Sequence, residues 1–280
     1  MSSARRRPET KPGVLFPEGP GEAARWASAL PPGAAGRAWL GYFPETGSTQ
    51  DEAFHAAARG AVHGSAFLAE HQTDGRGRRS SSWTAPAATS LLLSVLVRPA
   101  PPIGRTGRLA LAGAVASARA VATVAPSAAV EIKWPNDLLL DGLKLGGILV
   151  EVRRGVAVLG LGLNVAQDRN DFPPELRASA TSLAAAGLAV DRRALLAAVL
   201  IELGALLGHG RDCPSDWDLL RAEADRRLAW RDRTVRVSGC PGGPLSGSLV
   251  GLGETGGLIL ACASGRRVVA ASGSLDLEPG

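Results

Sequence analysis

The spacing of apolar residues changes near residue 230, and this change constrains the possible folds more than any other feature of the chain. Between residues 39 and 230, apolar runs typical of buried strands alternate with helical segments, of which 107–125 and 191–208 are the longest. Beyond residue 230, short β-type runs recur about every ten residues, separated by Gly, Pro and Ser. We therefore predict a domain of mixed strands and helices over residues 39–230 and a small all-β barrel or sandwich over residues 231–280.

Residues 1–38 differ from both of these regions. They contain six prolines and five glycines and have neither helical nor strand periodicity, which predicts a disordered arm. The arm carries six basic and three acidic side chains, whereas the other 242 residues carry 25 basic and 23 acidic ones. The body of the protein is therefore nearly neutral, and its charge gives little support for nucleic-acid binding.

The composition also argues against several classes of protein. No apolar run reaches the length of a membrane span, about 18 residues, and no apolar segment follows Arg5–Arg7 as a secretory signal would require. We therefore expect a cytoplasmic protein that does not bind membranes. The three cysteines include no Cys-x-x-Cys pair, which argues against a disulfide framework and against a cysteine zinc site.

A long polar loop between two predicted strands combines glycine with arginine. It reads Gln72-Thr73-Asp74-Gly75-Arg76-Gly77-Arg78 and is followed by Trp83. Glycine lets the backbone approach a ligand, two guanidinium groups can bind phosphate oxygens, and an indole offers a flat face to a purine or a lid over a pocket. The alternative is a solvated basic turn, and a Gly-Arg-Gly-Arg sequence considered alone is more typical of such a turn than of a binding loop. The length of the loop favours a function, because long loops in compact domains are usually functional.

A second stretch places polar groups at the end of a predicted strand. Lys133-Trp134-Pro135-Asn136-Asp137 ends the strand over residues 130–134, and Lys144 follows. Asp137 could hold Mg²⁺ and Lys144 could meet a phosphate or a carboxylate. The alternative is an Asn-Asp turn with an ordinary surface lysine. The chain has only three lysines, and two of them, Lys133 and Lys144, lie in this stretch. Because the ammonium group of lysine is more compact than the planar guanidinium of arginine, this points to positions where arginine does not fit.

In this order and spacing, the two stretches resemble the catalytic domain of biotin protein ligases. The resemblance rests on Gly75–Arg78 with Trp83, on Lys133–Asp137, and on the further segments Lys144–Glu151, Gly160–Asn164 and Ala180–Leu183. It covers about residues 40–230, and the β-rich tail resembles the small C-terminal domain of that family. The resemblance implies an α+β fold, in which a class II synthetase-like catalytic domain with a mixed sheet and flanking helices precedes an SH3-like β-barrel.

The resemblance also implies a reaction and its residues. Such an enzyme converts biotin and Mg²⁺-bound ATP to biotinyl-5′-adenylate, and then transfers biotin to a lysine of the biotin carboxyl carrier protein domain of a carboxylase such as acetyl-CoA carboxylase. The implied catalytic residues are Arg76, Arg78, Lys133, Asp137 and Lys144. Asp137 is a candidate either for the Mg²⁺ site or for accepting the proton of the incoming lysine. The implied biotin-binding residues are Ser48, Thr49, Gln50, Gln72, Gly75, Lys144 and Gly147. The implied ATP-binding residues are Arg76, Gly77, Arg78, Trp83, Asn136 and Asn164.

Three positions depart from the family pattern. Gln50 replaces the usual Asn, Asp74 replaces a small apolar residue, and Ser81 lies where another Arg is common. Gln50 could therefore contact the ureido ring differently, Asp74 could pair with one of the loop arginines, and Ser81 could loosen the loop. Residues 73–83 lack apolar anchors before Trp83, so we expect this segment to be mobile without a ligand.

Several alternatives and partners follow from the same comparison with the family. Some biotin ligases also repress transcription through a winged helix-turn-helix, but residues 1–38 are too few and too rich in Pro and Gly for that module, so we predict no operator-specific DNA binding. A lipoate ligase or octanoyl transferase of the related fold is a second possibility, and a non-catalytic biotin-binding module is a third. The edge of the central sheet could serve a homodimer or the acceptor protein.

Overall fold

The computed structural model describes residues 14–15, 30–31, 34–36, 39–98, 106–208, 216–262 and 264–278. Most of the predicted arm lies outside these residues. Within it, β1 (Val14–Leu15) pairs in parallel with residues 40–41, a strand that the sequence pattern does not predict. Gly36 N donates to Gly64 O at 2.6 Å and Ala34 is buried, so the last described residues of the arm pack on the body of the protein.

A mixed sheet of eight strands forms the centre of the fold, as predicted. Besides β1, its strands are β2 (Leu40–Thr46), β3 (Ala66–Gln72), β4 (Ser90–Val97), β5 (Val130–Lys133), β6 (Asp137–Leu140), β7 (Leu143–Arg153) and β8 (Val156–Asn164). They lie in the order β1-β2-β3-β4-β8-β7-β6-β5, with the first three parallel and the other pairs antiparallel. The hairpin between β7 and β8 turns at Arg154 and Gly155, with φ angles of 50° and 73°, and sets Leu149 opposite Gly160.

Helices cover both faces of this sheet. In the described chain they are α1 (Thr49–Ala58), α2 (Thr106–Val124), α3 (Arg192–Leu207) and α4 (Trp217–Arg226). Alternate strand residues point to opposite faces, so Phe67 and Leu96 pack with α1 while Leu68 and Val95 join the larger core formed with α2. Within the residues described, no helix has the length and apolar character needed to cross a membrane.

A second, antiparallel sheet follows, as the change of texture near residue 230 predicts. Its strands are β9 (Thr234–Ser238), β10 (Leu245–Leu252), β11 (Leu258–Ala261), β12 (Arg267–Ala270) and β13 (Ser274–Leu277), in the order β12-β11-β10-β9-β13. Its inward residues, such as Val235 and Leu249, belong to the same apolar core as the central sheet. Trp134 Nε1 also donates to Gly256 O at 2.9 Å, so the two sheets share an interior. The division of the chain between residues 230 and 231 therefore stays a prediction.

Candidate functional site

A cavity opens where the first turn of α1, the end of β3, the loop after β3 and the middle of β7 and β8 meet. Ser48 fixes the first turn of α1, because its Oγ accepts a hydrogen bond from Gln50 N at 3.3 Å as the N-cap. The predicted site residues that line the cavity are Ser48, Thr49, Gln50, Gln72, Arg76, Gly77, Arg78, Trp83, Asn136, Asp137, Lys144 and Gly147. Side chains from segments that are distant in sequence thus meet around one space.

One end of the cavity is polar but uncharged. Thr49 N and Thr49 Oγ1 both lie within hydrogen-bond distance of Gln72 Oε1, at 2.8 and 3.0 Å, and Thr49 Oγ1 lies 2.8 Å from Ser94 Oγ. Gln50 Nε2 donates to Leu149 O at 2.9 Å, whereas the buried Gln50 Oε1 has no hydrogen-bond partner among the described residues. A buried acceptor without a partner is costly, so this end of the cavity is suited to a ligand that donates an N–H.

Two glycines of β8 give these side chains their room. A Cβ on Gly160 would lie 2.3 Å from Gln50 Nε2, and a Cβ on Gly162 would lie 2.6 Å from the Trp83 ring. Both distances are too short for non-bonded atoms. The absence of side chains at Gly160 and Gly162 therefore allows Gln50 and Trp83 to reach the same wall of the cavity, a packing role that the motif over residues 160–164 does not reveal.

The other end of the cavity carries the charges. Lys144 Nζ lies 2.8 Å from Asp137 Oδ1, and Arg78 Nη1 donates to Asn136 Oδ1 at 3.1 Å. Burial, helped by the nearby charge of Arg79, lowers the pKa of Arg78. Since arginine nevertheless stays protonated, Arg78 is a desolvated cation with neutral hydrogen-bond partners. This end of the cavity can therefore receive a carboxylate or a phosphate.

Arg76 belongs to a separate ion-pair cluster at the rim of the cavity. Its guanidinium donates to both carboxylate oxygens of Asp51, at 2.7 and 3.0 Å, and to Glu151 Oε2 at 3.2 Å. Arg153 also donates to Asp51, at 3.0 Å. The hydrogen bond from Arg76 is the main cause of a lowered pKa of Asp51, and the same pair raises the pKa of Arg76. The predicted partner Asp74 is mostly exposed and lies 3.9 Å from Arg76, so it is the minor partner.

The loop after β3 folds back over the cavity through short-range backbone contacts. Trp83 N donates to Gly75 O at 2.8 Å, and Gly77 N donates to Ser81 O at 2.7 Å. Arg79 has a φ of 54° and donates to Ser274 Oγ at 2.6 Å, which ties the loop to the second sheet. These contacts hold the loop in the conformation described, and its mobility without a ligand stays a prediction.

Three predicted site residues do not line the cavity. Lys133 pairs with Asp276 at 3.3 Å and lies over the Trp230 ring, because β5 turns this side chain towards the second sheet. Asn164 is buried and donates to Thr181 O at 3.0 Å, so the predicted contact with adenine is not supported. Gly75 is a buried residue of the loop at which a Cβ would overlap the carbonyl oxygen of Trp83, which makes it a packing residue.

The sequence did not predict the two carboxylates that form ion pairs with Arg76 beside the cavity. Asp51 follows the predicted biotin-binding residues directly, and Glu151 closes a segment on which the resemblance rests, but neither position signals its partner Arg76. In the part of the chain that the structure describes, no three His, Cys, Asp or Glu side chains are grouped to hold a metal ion. Asp137 is paired with Lys144, and its role at a Mg²⁺ ion stays a prediction.

Comparisons with known proteins show similarity to biotin ligases. The sequence profile described as "Biotin/lipoate A/B protein ligase family" matches residues 43–168. A biotin–[acetyl-CoA-carboxylase] ligase of Mycobacterium tuberculosis is 38% identical over 251 residues, which cover 86% of this chain and 90% of that protein. A protein of the same description from Paracoccus denitrificans is 31% identical, with 81% and 96% of the two chains covered. A bifunctional ligase/repressor BirA of Bacillus subtilis is 38% identical, but over only 57% of this chain and 51% of that protein.

Solved structures extend the similarity to the fold. Biotin protein ligase from Aquifex aeolicus in complex with biotin and ATP has a TM-score of 0.74 at 25% identity, and the match covers 86% of this chain and 99% of that one. Biotin protein ligase from Leishmania major in complex with biotinyl-5-AMP has a TM-score of 0.55 at 22% identity, covering 83% and 98%, which bears on the fold alone. The similarity is therefore not confined to the residues that line the cavity.

Proposed function

The chain belongs to the biotin protein ligase family, and from this membership we propose that it activates biotin with ATP and transfers it to a lysine of a biotin carboxyl carrier protein domain. The overall reaction converts ATP to AMP and diphosphate. The observation that carries the proposal is a single cavity whose uncharged end has a bare buried acceptor, Gln50 Oε1, and whose other end has the cations Arg78 and Lys144. Biotin has the matching pair of ends, a neutral ureido ring and a carboxylate.

The first step brings two anions into contact, and the charged end of the cavity offsets their repulsion. A carboxylate oxygen of biotin attacks the α-phosphorus of ATP, and the bond to diphosphate breaks, which leaves biotinyl-5′-adenylate. We assign Lys144 to the carboxylate and the new bridging oxygen, and Arg78 to the phosphate. Fixed cations in a site with little water stabilise the charge that builds up in the transition state. Asp137 holds Lys144 Nζ in place through their 2.8 Å contact.

In the second step, the amine of the acceptor lysine attacks the acyl carbon of the adenylate, an amide bond forms, and AMP leaves. The amine loses a proton in this step. Asp137 is the carboxylate that lies among the cavity-lining residues, so it is our candidate for receiving that proton. A Mg²⁺ ion that accompanies ATP would be held by the nucleotide phosphates, and Asp137 would be the cavity-lining carboxylate available to it.

The uncharged end supports biotin over other acyl groups. A ureido ring has N–H groups that can donate to Gln50 Oε1 and a carbonyl that can accept from hydroxyl groups such as those of Ser48 and Thr49. The dithiolane of lipoate and the alkyl chain of octanoate have no N–H donor, and would leave Gln50 Oε1 buried without a partner. At the nucleotide end we retain Trp83 and Asn136 as contacts of the adenylate, without Asn164.

The finer points about partners and location are proposals as well. We propose a carrier domain of acetyl-CoA carboxylase as the acceptor, because two relatives are named biotin–[acetyl-CoA-carboxylase] ligases. A homodimer formed through the sheet edge, the lack of operator-specific DNA binding and a cytoplasmic location stay predictions. Sedimentation analysis tests the first of these, and an operator footprint at physiological salt tests the second.

Intact-mass analysis of a purified biotin carboxyl carrier domain tests the proposal directly. The carrier is incubated with this protein, biotin and Mg²⁺-bound ATP, and control reactions omit biotin or ATP or replace biotin with lipoate. We expect a gain of one biotinyl group that needs both biotin and ATP. A folded protein that gives no gain, or an equal gain with lipoate, would contradict the proposal.

A further inference from the structure

We propose that Asp51 and Glu151 are positioning residues that use Arg76 to anchor the loop, so that the two arginines of the segment Gly75–Arg78 have different tasks. Arg76 holds the loop over the cavity, and Arg78 meets the anionic substrate. The second half of this inference rests on the proposed function. The first half concerns the conformation of the protein itself and can be tested without any substrate.

The geometry of Arg76 is that of an anchored side chain. Its guanidinium makes a fork-to-fork contact with Asp51, at 2.7 and 3.0 Å, and a third contact with Glu151 at 3.2 Å. Two parallel hydrogen bonds between a guanidinium and a carboxylate fix direction as well as distance. Asp51 lies in the first turn of α1 and Glu151 lies near the end of β7, so Arg76 ties the loop to two elements that frame the cavity.

The distribution of charge separates the two arginines. Asp51 and Glu151 neutralise Arg76 and Arg153, with which they form ion pairs, so this group of four side chains has no net charge. An arriving phosphate would have to displace carboxylates that already hold Arg76 and would be repelled by them. In the described chain Arg78 donates to neutral acceptors, an amide oxygen of Asn136 and the backbone carbonyl of Gly273, and the carboxylate of Asp137 acts on it only through space.

The anchor acts on the cavity through the backbone of the loop. Gly75, the residue before Arg76, accepts a hydrogen bond from Trp83 N at 2.8 Å, and residues 76 and 82 form a β-bridge. Trp83 closes one wall of the cavity against Gly162. When Arg76 loses its partners, the loop can open as a unit and carry both Trp83 and Arg78 away from the ligand.

Hydrogen–deuterium exchange of the full chain without ligand tests the anchor. We expect Asp51→Asn and Glu151→Gln to speed exchange of the amides over residues 73–83 by about tenfold, with little change elsewhere, because charge-assisted hydrogen bonds are lost. Glu52→Gln is the matched control. It removes the same charge from the same helical turn, but Glu52 accepts from Thr46 and does not contact Arg76.

Two arginine variants separate anchoring from substrate binding. We expect Arg76→Gln to speed exchange of the loop amides as much as Asp51→Asn does. The double variant Asp51→Asn/Arg76→Gln should exchange little faster than either single variant, because both remove the same contact. Arg76→Gln should also speed dissociation of biotinyl-adenylate by about tenfold. We expect Arg78→Gln to reduce adenylate formation by more than about 100-fold, with a smaller rise in loop exchange than Arg76→Gln gives, because Arg78 donates only to the neutral acceptors of Asn136 and Gly273. Circular dichroism verifies folding, and Glu151→Gln tests the anchor independently if Asp51→Asn fails to fold.

Two results would overturn the inference. The first is unchanged loop exchange in both Asp51→Asn and Arg76→Gln. The second is a loss of adenylate formation in Arg76→Gln as large as in Arg78→Gln, with faster adenylate formation in Asp51→Asn, since that pattern would make Arg76 a substrate ligand that Asp51 merely withholds. If the wild-type chain does not activate biotin at all, the proposed function fails, whereas the exchange data still decide whether Arg76 anchors the loop.

Discussion

The contact between Gly160 and Gln50 gives the sharpest prediction about biotin recognition. Gly160 lies in β8 with no left-handed φ, so alanine suits its backbone. A Cβ on Gly160 would lie 2.3 Å from Gln50 Nε2, and ordinary contact begins at 3.4 Å. The amide of Gln50 must therefore retreat by about 1.1 Å, the difference between these two distances, because a packed interior does not accept the overlap.

This displacement would cost Gln50 its hydrogen bond to Leu149 O, which is 2.9 Å long before the change. A buried donor left without a partner costs about 1–3 kcal/mol, so we expect Gly160→Ala to lower Tm by about 2–6 °C without loss of the fold. The free Gln50 Oε1 would leave its place as well. The loss of one hydrogen bond of about 1.4 kcal/mol to the ureido ring corresponds to an increase of about tenfold in the Kd for biotin.

Calorimetric titration with biotin and a thermal melt would measure both effects. Gly253→Ala is the matched control, because a Cβ there meets its nearest neighbour, Gly257 O, at an ordinary 3.6 Å. Asn is shorter than Gln by one C–C bond of about 1.5 Å, which exceeds the overlap, so Gln50→Asn combined with Gly160→Ala should recover part of the affinity. Unchanged biotin binding in Gly160→Ala, or no recovery in the double variant, would refute the assignment of Gln50 to the ureido ring.

Three further predictions concern the charged end of the cavity and the loop. Lys144→Ala should reduce adenylate formation by more than about 100-fold in a pyrophosphate-exchange assay. The Tm should stay nearly unchanged, because a partly exposed ion pair adds little stability. A wild-type rate of adenylate formation would contradict the role of Lys144. Arg76 lowers the pKa of Asp51 below 3.8, so the stability from this pair is fully present above pH 3.8 and is lost as the pH falls through the lower pKa of the folded protein. The difference in unfolding free energy between the wild type and Asp51→Asn should therefore shrink in acid urea titrations, and a difference independent of pH would contradict the cause. Arg79→Ala and Ser274→Ala should each speed adenylate dissociation about threefold, and additive effects in the double variant would show that they act separately.

Much of the fold could be predicted because its elements have strong local signals. Residues 91–97 are apolar except for Ser94 and lie in the fully buried β4, and Asp191 precedes α3 as its N-cap. Pairings between distant elements have no such signal. The two-residue β1 and the packing of residues 34–36 on Gly64 depend on the folded surface of the rest of the protein. A Pro- and Gly-rich segment has no local sequence pattern that predicts such contacts.

The site was predictable to the extent that motif residues face inward. Lys144 on β7 lines the cavity, whereas Lys133 at the end of β5 pairs with Asp276. A motif gives the identity of a residue but not the face on which its side chain lies, and both lysines occur in motifs of equal strength. Asn164 fails for a related reason, because a polar residue at the end of a buried strand can serve the hydrogen-bond needs of the neighbouring backbone instead of a ligand.

The structure shows how each of the three departures from the family pattern is accommodated, two by a hydrogen bond and one by exposure to solvent. The longer Gln50 fits because Gly160 has no side chain, and its amide finds Leu149 O. Asp74 stays in solvent, where it adds little to an arginine that Asp51 already holds in two hydrogen bonds. Ser81 closes the turn of the loop, since its Oγ donates to the carbonyl of residue 78 at 2.8 Å and its own carbonyl accepts from Gly77 N. A charge-free hydroxyl can thus stabilise the turn locally in a segment where the family often carries an arginine, and Ser81→Ala should speed hydrogen–deuterium exchange of the amides over residues 73–83.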